Sequence, residues 1–172
     1  GAGCSGPLVV ELCLFAGRGK INQLEPGTDV ALRSHSGSRG TGAAVCDYYS
    51  KIAFAQFPDL PSELKRLAWL SLDSPEGQEY WNAMELMGQY AAANHACIHR
   101  HIAEHLGAQV LPDLENHHNF QWTEKHVIGR VERGLVVQRK GPAPAGGDVR
   151  GIIPGPMARR GVGVRSQRQP GA

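Results

Sequence analysis

The chain has 172 residues, a formal net charge of +2 and 20% charged residues. This length suffices for one ordinary domain with a real core. The near-neutral balance excludes a polybasic field, but a local patch of Lys and Arg is enough for phosphate contacts, so nucleic acid stays open as a partner.

Residues 8–15 are apolar and rich in Val and Leu, which predicts a strand. Glu11 is a charge inside it. A strand buries charge only when it is paired or used, so Glu11 is a site candidate; an edge strand with Glu11 facing water accounts for it equally. Residues 29–33 predict a second short strand. It leads into His35-Ser36-Gly37-Ser38-Arg39-Gly40-Thr41-Gly42. The glycines of that run allow close backbone approach, its amides and hydroxyls can cradle an anion, and Arg39 can grip a phosphate through two parallel hydrogen bonds. A plain turn accounts for the same residues.

From Gly42 the period changes. Val45, Tyr49, Ile52 and Ala53 mark one helical face, the stripe fades at Gln56, and Pro58 and Pro61 break the helix. A short helix capped by Ser62 is predicted over 62–70. The longest element runs over about 74–106. Asp73 is the expected cap, with Glu76 at the third helical position, and Gly107 is the stop. Tyr80, Met84, Met87, Ala91, Ile98, Ile102 and Leu106 form its apolar stripe. His95 and His99, and also His101 and His105, stand four apart, but no carboxylate completes a zinc-protease pattern. These histidines read as solvated or packing side chains.

Beyond the helix, 109–111 is a candidate strand before Asn116-His117-His118-Asn119-Phe120. Imidazole beside amide suits a metal or phosphate site, yet His35 and His118 alone do not complete one. Strands are expected over 127–130 and 135–138, with a turn at Arg133-Gly134. Arg139 and Lys140 are adjacent cations that can face a triphosphate or RNA, or simply water. The whole reads as α+β, strands around a polar centre with a helical insertion. The expected division is one domain over 1–158, its insertion at about 43–106, and an Arg/Gly-rich tail over 159–172 without stable structure of its own. The start at Gly1 without Met, together with that tail, leads to the expectation of a fragment or a degraded copy of a longer gene. Cysteines at 4, 13, 46 and 97 form no CxxC pair, which fits a reduced, cytoplasmic setting. No apolar run approaches the roughly twenty residues that span a bilayer, so no membrane contact is expected.

Taken together, the motifs resemble the RtcB family of RNA ligases. The resemblance covers most of 6–163. It rests on His35 to Gly40, on Asp-Ser-Pro-Glu-Gly-Gln-Glu-Tyr at 73–80, on Tyr90-Ala91-Ala92-Ala93-Asn94, on Glu115 to Phe120, on Arg139-Lys140-Gly141 and on Ile153-Pro154-Gly155. It implies an RtcB-like fold and a GTP- and Mn²⁺-dependent reaction. In that reaction RNA 3′-phosphate or 2′,3′-cyclic phosphate ends are joined to 5′-hydroxyl ends through a guanylylated histidine. It further implies that His35 ligates one Mn²⁺ and His118 the other. Glu11 and Asn119 would contact the guanylate, Arg39 would hold an RNA or nucleotide phosphate, and Pro154, Gly155 and Met157 would line the guanine-nucleotide pocket. The long helix would belong to the insertion flanking the catalytic centre, its histidines without a catalytic role.

The departures are as informative as the matches. The family's Asp-x-Gly-Cys-Gly motif is absent, and so is the later His-Gly-Ala-Gly-Arg motif with the guanylylated histidine. Leu8 stands where a metal-binding histidine is expected, and its side chain has no lone pair to donate. Gln138 replaces a histidine. Pro142 and Pro156 replace residues with an amide donor, and Pro156 also removes a hydroxyl. Two other readings follow from the residues: a non-catalytic RNA- or nucleotide-binding remnant using Arg39, Arg139 and Lys140, and a metal-dependent phosphatase or nuclease using His35 and His118. The latter requires carboxylates, for which Asp29, Asp47, Asp113 and Glu115 are the candidates nearby in sequence.

Overall fold

The computed structural model describes residues 9–17, 26–111, 113–117, 119–141, 146, 149–153 and 162–165. They are mixed α and β, and the chain divides into two compact units at Leu111 and Pro112.

The first unit opens with an antiparallel hairpin of β1 (Val9–Gly17) and β2 (Gly27–His35). Both strands extend beyond the apolar runs that predict them. The register sets Val9 opposite His35, Glu11 opposite Arg33, Leu12 opposite Leu32 and Leu14 opposite Val30. Because side chains alternate across a strand, Glu11, Arg33 and His35 share one face, and Leu12, Leu14, Val30 and Ser34 share the other.

Helix α1 (Arg39–Gln56) follows. It starts earlier than the apolar period suggests, because Arg39-Gly40-Thr41-Gly42 forms its first turn and not a loop. Gly42 lies against Ser38, and a Cβ there would overlap the Ser38 hydroxyl. The helix ends at Gln56, where the apolar stripe stops. Tyr49 and Ala53 are its buried residues, and Tyr49 meets the Tyr80 ring with centroids 5.1 Å apart. Burial pushes the Tyr49 phenol above its ordinary range, with the Glu79 carboxylate acting in the same direction.

The short segment after Pro61 is a 3-10 helix, Ser62–Leu67, and not the expected 62–70 helix. Ser62 does not cap it; its hydroxyl bonds the Glu63 carboxylate at 3.1 Å. Phe57 stacks on Trp69 with centroids 4.0 Å apart.

Helix α2 (Pro75–Leu106) carries Pro at its first position. Its cap is Ser74, not Asp73: the Ser74 hydroxyl accepts from the Gly77 amide at 3.1 Å. With Pro75 fixed as the first helical residue, the cap must be the residue immediately before it. Gly107 closes the helix in the left-handed conformation, φ 62°. No helix among the described residues is long and apolar enough to cross a membrane. Cys13 and Cys97 are free thiols, and Cys46 Sγ lies 3.9 Å from Ser50 Oγ.

In the second unit, β3 (Asn119–Ile128) and β4 (Val131–Lys140) form a hairpin whose register sets Phe120 opposite Arg139 and Ile128 opposite Val131. The turn is Gly129-Arg130, with Gly129 at φ 67°. The sequence reading places it at Arg133-Gly134, but Gly134 lies inside the ladder opposite Lys125. A two-residue hairpin turn needs positive φ, and Gly129 supplies it. Residues 109–111, expected as a strand, have no regular structure. Finally β5 (Arg150–Ile153) pairs with β6 (Val162–Arg165). Of the tail over 159–172, only residues 162–165 are described, and they form β6.

Candidate functional site

The Ser-Gly-Ser-Arg run lies where β2 gives way to α1, with Ser36, Gly37 and Ser38 as the link. Arg39 has φ 57°, and it is the one non-glycine residue with positive φ among those described. For an L-residue that conformation costs about 1–2 kcal/mol, so surrounding contacts must hold it. The backbone thus bends sharply at the residue singled out for phosphate binding.

Three contacts from α2 reach the residues just before the bend. The Ser36 amide donates to His95 Nε2 at 3.1 Å, Asn94 Nδ2 donates to Ser36 Oγ at 3.1 Å, and Ser34 Oγ lies 2.8 Å from His99 Nε2. An imidazole nitrogen that accepts from an amide carries no proton, so the His95 ring holds its proton on Nδ1. The Ser36 amide is engaged with His95, which removes it from the cradle of amides expected around an anion. The Ser36 hydroxyl accepts from Asn94 and keeps its own proton to donate. Asn94, His95 and His99 are half-buried, whereas His101 and His105 are exposed. The sequence does not show what the first pair faces. Its signal was the four-residue spacing beside Asn94, which puts these side chains on neighbouring parts of one helix surface.

Across the first hairpin, Glu11 is in an ion pair with Arg33. The unexpected charge in β1 therefore has its partner on β2. His35 closes β2 with an exposed side chain, as does Arg39 at the head of α1.

In the second unit, both guanidinium arms of Arg139 bind the Glu124 carboxylate, Nη2 reaching Oε2 at 2.9 Å. The guanidinium also lies 5.2 Å from the Trp122 ring centroid, within cation–π range. The hydrogen bond from Arg139 holds the Glu124 carboxyl down to about 2, with His126 Nε2 adding to the effect from 2.9 Å. Arg139, offered as a cation for RNA, is thus closed on an internal carboxylate. In the Asn-His-His-Asn run, Asn116 braces β5: its Nδ2 donates to the Arg150 carbonyl at 3.0 Å, and its Oδ1 accepts from the Ile152 amide at 3.2 Å. His117 lies 3.5 Å from Glu115.

His118, Pro154, Gly155 and Met157, together with Leu8, Pro142 and Pro156, fall outside the described residues, as does the side chain of Asn119. Among the described residues, no three or more His, Cys, Asp or Glu side chains come together as a metal site. His118 is not among those residues.

A strand followed by a short glycine-containing link and a helix N-terminus is a form that can bind anions. The family model described as tRNA-splicing ligase RtcB matches residues 11–171, so the chain belongs to the RtcB family. It is 34% identical over 140 residues to the tRNA-splicing ligase RtcB of Methanococcus maripaludis, a match covering 73% of this chain and 28% of that protein. It is 30% identical over 136 residues to the tRNA-splicing ligase RtcB of Methanopyrus kandleri, covering 67% of this chain and 14% of that protein. RNA-splicing ligase RtcB homolog 1 of Entamoeba histolytica is 28% identical over 134 residues, covering 73% of this chain and 25% of that protein. The chain therefore spans well under a third of each of these relatives.

Proposed function

We propose that this chain carries an RNA-end-binding segment of the RtcB type of RNA ligation. In that GTP- and Mn²⁺-dependent reaction, a 3′-phosphate or 2′,3′-cyclic phosphate end is joined to a 5′-hydroxyl end through a guanylylated histidine. We propose further that residues 1–172 alone bind such ends without joining them. The observation that carries the reading is the family match running through the Ser-Gly-Ser-Arg element, which the fold sets at a strand–helix junction with Arg39 at its bend.

In this reading Arg39 meets the terminal phosphate with parallel guanidinium N–H groups, and the Ser36 and Ser38 hydroxyls donate to the remaining oxygens. Glu11, Asn119, Pro154, Gly155 and Met157 are assigned to the guanine nucleotide. The Glu11–Arg33 pair must then open or be shared when nucleotide binds. His35 and His118 are each assigned as a single donor to metal, in sites that other groups complete. The expectation for residues 1–172 by themselves rests on two features: they contain no His-Gly-Ala-Gly-Arg motif, and Leu8 stands where a ligand histidine is expected.

The test is gel-resolved joining of a 3′-phosphate RNA to a 5′-hydroxyl RNA by the purified chain with GTP and Mn²⁺. The expected result is no joined product and no GMP adduct on the protein, together with retention of the 3′-phosphate RNA in a binding assay. Joined product would overturn the inactivity, and absence of RNA retention would overturn the binding role.

A further inference from the structure

The contacts between α2 and the end of β2 form a matched ladder. Successive residues rise about 1.5 Å along a helix, so His95 and His99 stand about 6 Å apart along α2. Alternate residues of an extended chain are separated by nearly the same length, about 6.7 Å; Ser34 lies in β2 and Ser36 is the first residue beyond it. His99 takes Ser34 and His95 takes Ser36, so the helix runs antiparallel to the strand end and the two spacings coincide. Asn94 adds a third bond to the same Ser36. The intervening residue, His35, points to the opposite side of the strand, and Arg39 follows the clamped serine by three residues.

We propose that Asn94, His95 and His99 are positioning residues. They clamp Ser34 and Ser36 and thereby fix His35 and Arg39 on the outward side of the strand–helix bend. The inference rests on the RNA-end reading for what Arg39 receives, but not for the clamp itself. The chemistry of the clamp is specific. Ser36 offers a backbone donor, so residue 95 must present an acceptor at the imidazole Nε2 position. Glutamine can place its amide oxygen near that point, whereas leucine fills similar space with no acceptor. Without its partner, the Ser36 amide either turns to water or stays half-buried and unsatisfied, and the left-handed Arg39 loses one of its anchors.

Two measurements on the full chain separate the clamp from its role. The first is hydrogen exchange at the Ser36 amide by NMR. The second is fluorescence anisotropy with a short single-stranded RNA bearing either a 3′-phosphate or a 3′-hydroxyl. For His95→Leu we expect about ten-fold faster exchange at Ser36, the factor equivalent to about 1.4 kcal/mol, and about a five-fold or greater loss of affinity for the 3′-phosphate RNA. His95→Gln restores both to within about two-fold of wild type, whereas His99→Leu, which removes the partner of the Ser34 hydroxyl, weakens RNA affinity to a smaller extent and His99→Gln restores it. His101→Leu, on the exposed side of the same helix, changes neither and controls for general loss of helix stability. Ser36 exchange unchanged in His95→Leu, or a His95→Gln chain no better than His95→Leu, would overturn the clamp. The expected exchange pattern in a chain that does not distinguish the two RNA ends would leave the clamp standing and refute the RNA-end reading.

Discussion

Arg139 grips Glu124 with both arms of its guanidinium from the neighbouring strand of the β3–β4 hairpin while lying over the face of Trp122. A planar fork on a carboxylate is the geometry in which arginine is hardest to replace by lysine. The pair closes one cation of the 139–140 step against the protein itself. Any RNA contact from this strand end must therefore come from Lys140 or follow rupture of the pair.

The pair gives the second unit an acid sensitivity. Glu124 titrates at about 2 when folded, below its ordinary value of 4.5, chiefly because Arg139 bonds its charged form. A carboxylate with a depressed folded pKa contributes stability above its unfolded pKa. That contribution is complete above about pH 4.5 and is lost as pH falls towards about 2. A carbon-detected NMR titration should place Glu124 near 2 in the wild type and return it to the ordinary carboxylate range in Arg139→Gln. A wild-type midpoint near 4.5 would show that the pair does not form in solution.

Arg39 carries strain that a paired substitution can isolate. Arg39→Ala and Arg39→Gly both remove the guanidinium, but only glycine occupies the left-handed region without a Cβ penalty. Arg39→Gly is expected to be more stable than Arg39→Ala by about 1 kcal/mol in denaturant unfolding. Equal stabilities would mean that the bend at residue 39 is not held in solution.

Much of the fold was legible because local rules suffice for it. Val45, Tyr49, Ile52 and Ala53 gave the face of α1, and the loss of that stripe at Gln56 gave its end. Gly107 gave the stop of α2. The errors fall where local signals conflict. Glycines at 40 and 42 argue against a helix, yet they make the first turn of α1. Gly134 resembled a turn residue, but Gly129 has the positive φ that the hairpin requires. Asp73 and Ser74 are both good caps, and Pro75 decides between them. His35 and Arg39 stand out in the sequence because a glycine-rich run advertises close backbone approach. The contacts of His95 and His99 do not, because their partners Ser36 and Ser34 stand 59 and 65 residues away. Helical spacing reveals that two histidines are neighbours, not what faces them.

The N-terminus of α2 offers a compact test of the motif at 73–80. Ser74 caps the helix through the Gly77 amide, and a Cβ on the buried Gly77 would overlap the Ser71 carbonyl oxygen, which is backbone and cannot swing aside. Ser74→Ala should cost about 1 kcal/mol and Gly77→Ala about 2–3 kcal/mol, both read by thermal or denaturant unfolding. Asp73→Ala should fall within about 0.5 kcal/mol of wild type. A larger loss from Asp73→Ala than from Ser74→Ala would reassign the cap.

The central claim, that the Ser-Gly-Ser-Arg element of this RtcB-family chain receives an RNA 3′-phosphate, is tested most directly by one anisotropy comparison. Wild-type and Arg39→Ala chains are titrated into the same single-stranded RNA carrying a 3′-phosphate or a 3′-hydroxyl. The account predicts that the wild type prefers the 3′-phosphate end by about ten-fold, as expected from a charge-assisted bidentate contact of about 1.5 kcal/mol. It predicts that Arg39→Ala abolishes the preference while leaving the weaker binding to the 3′-hydroxyl RNA nearly unchanged. Equal affinity of the wild type for both ends, or a preference that survives Arg39→Ala, would contradict it.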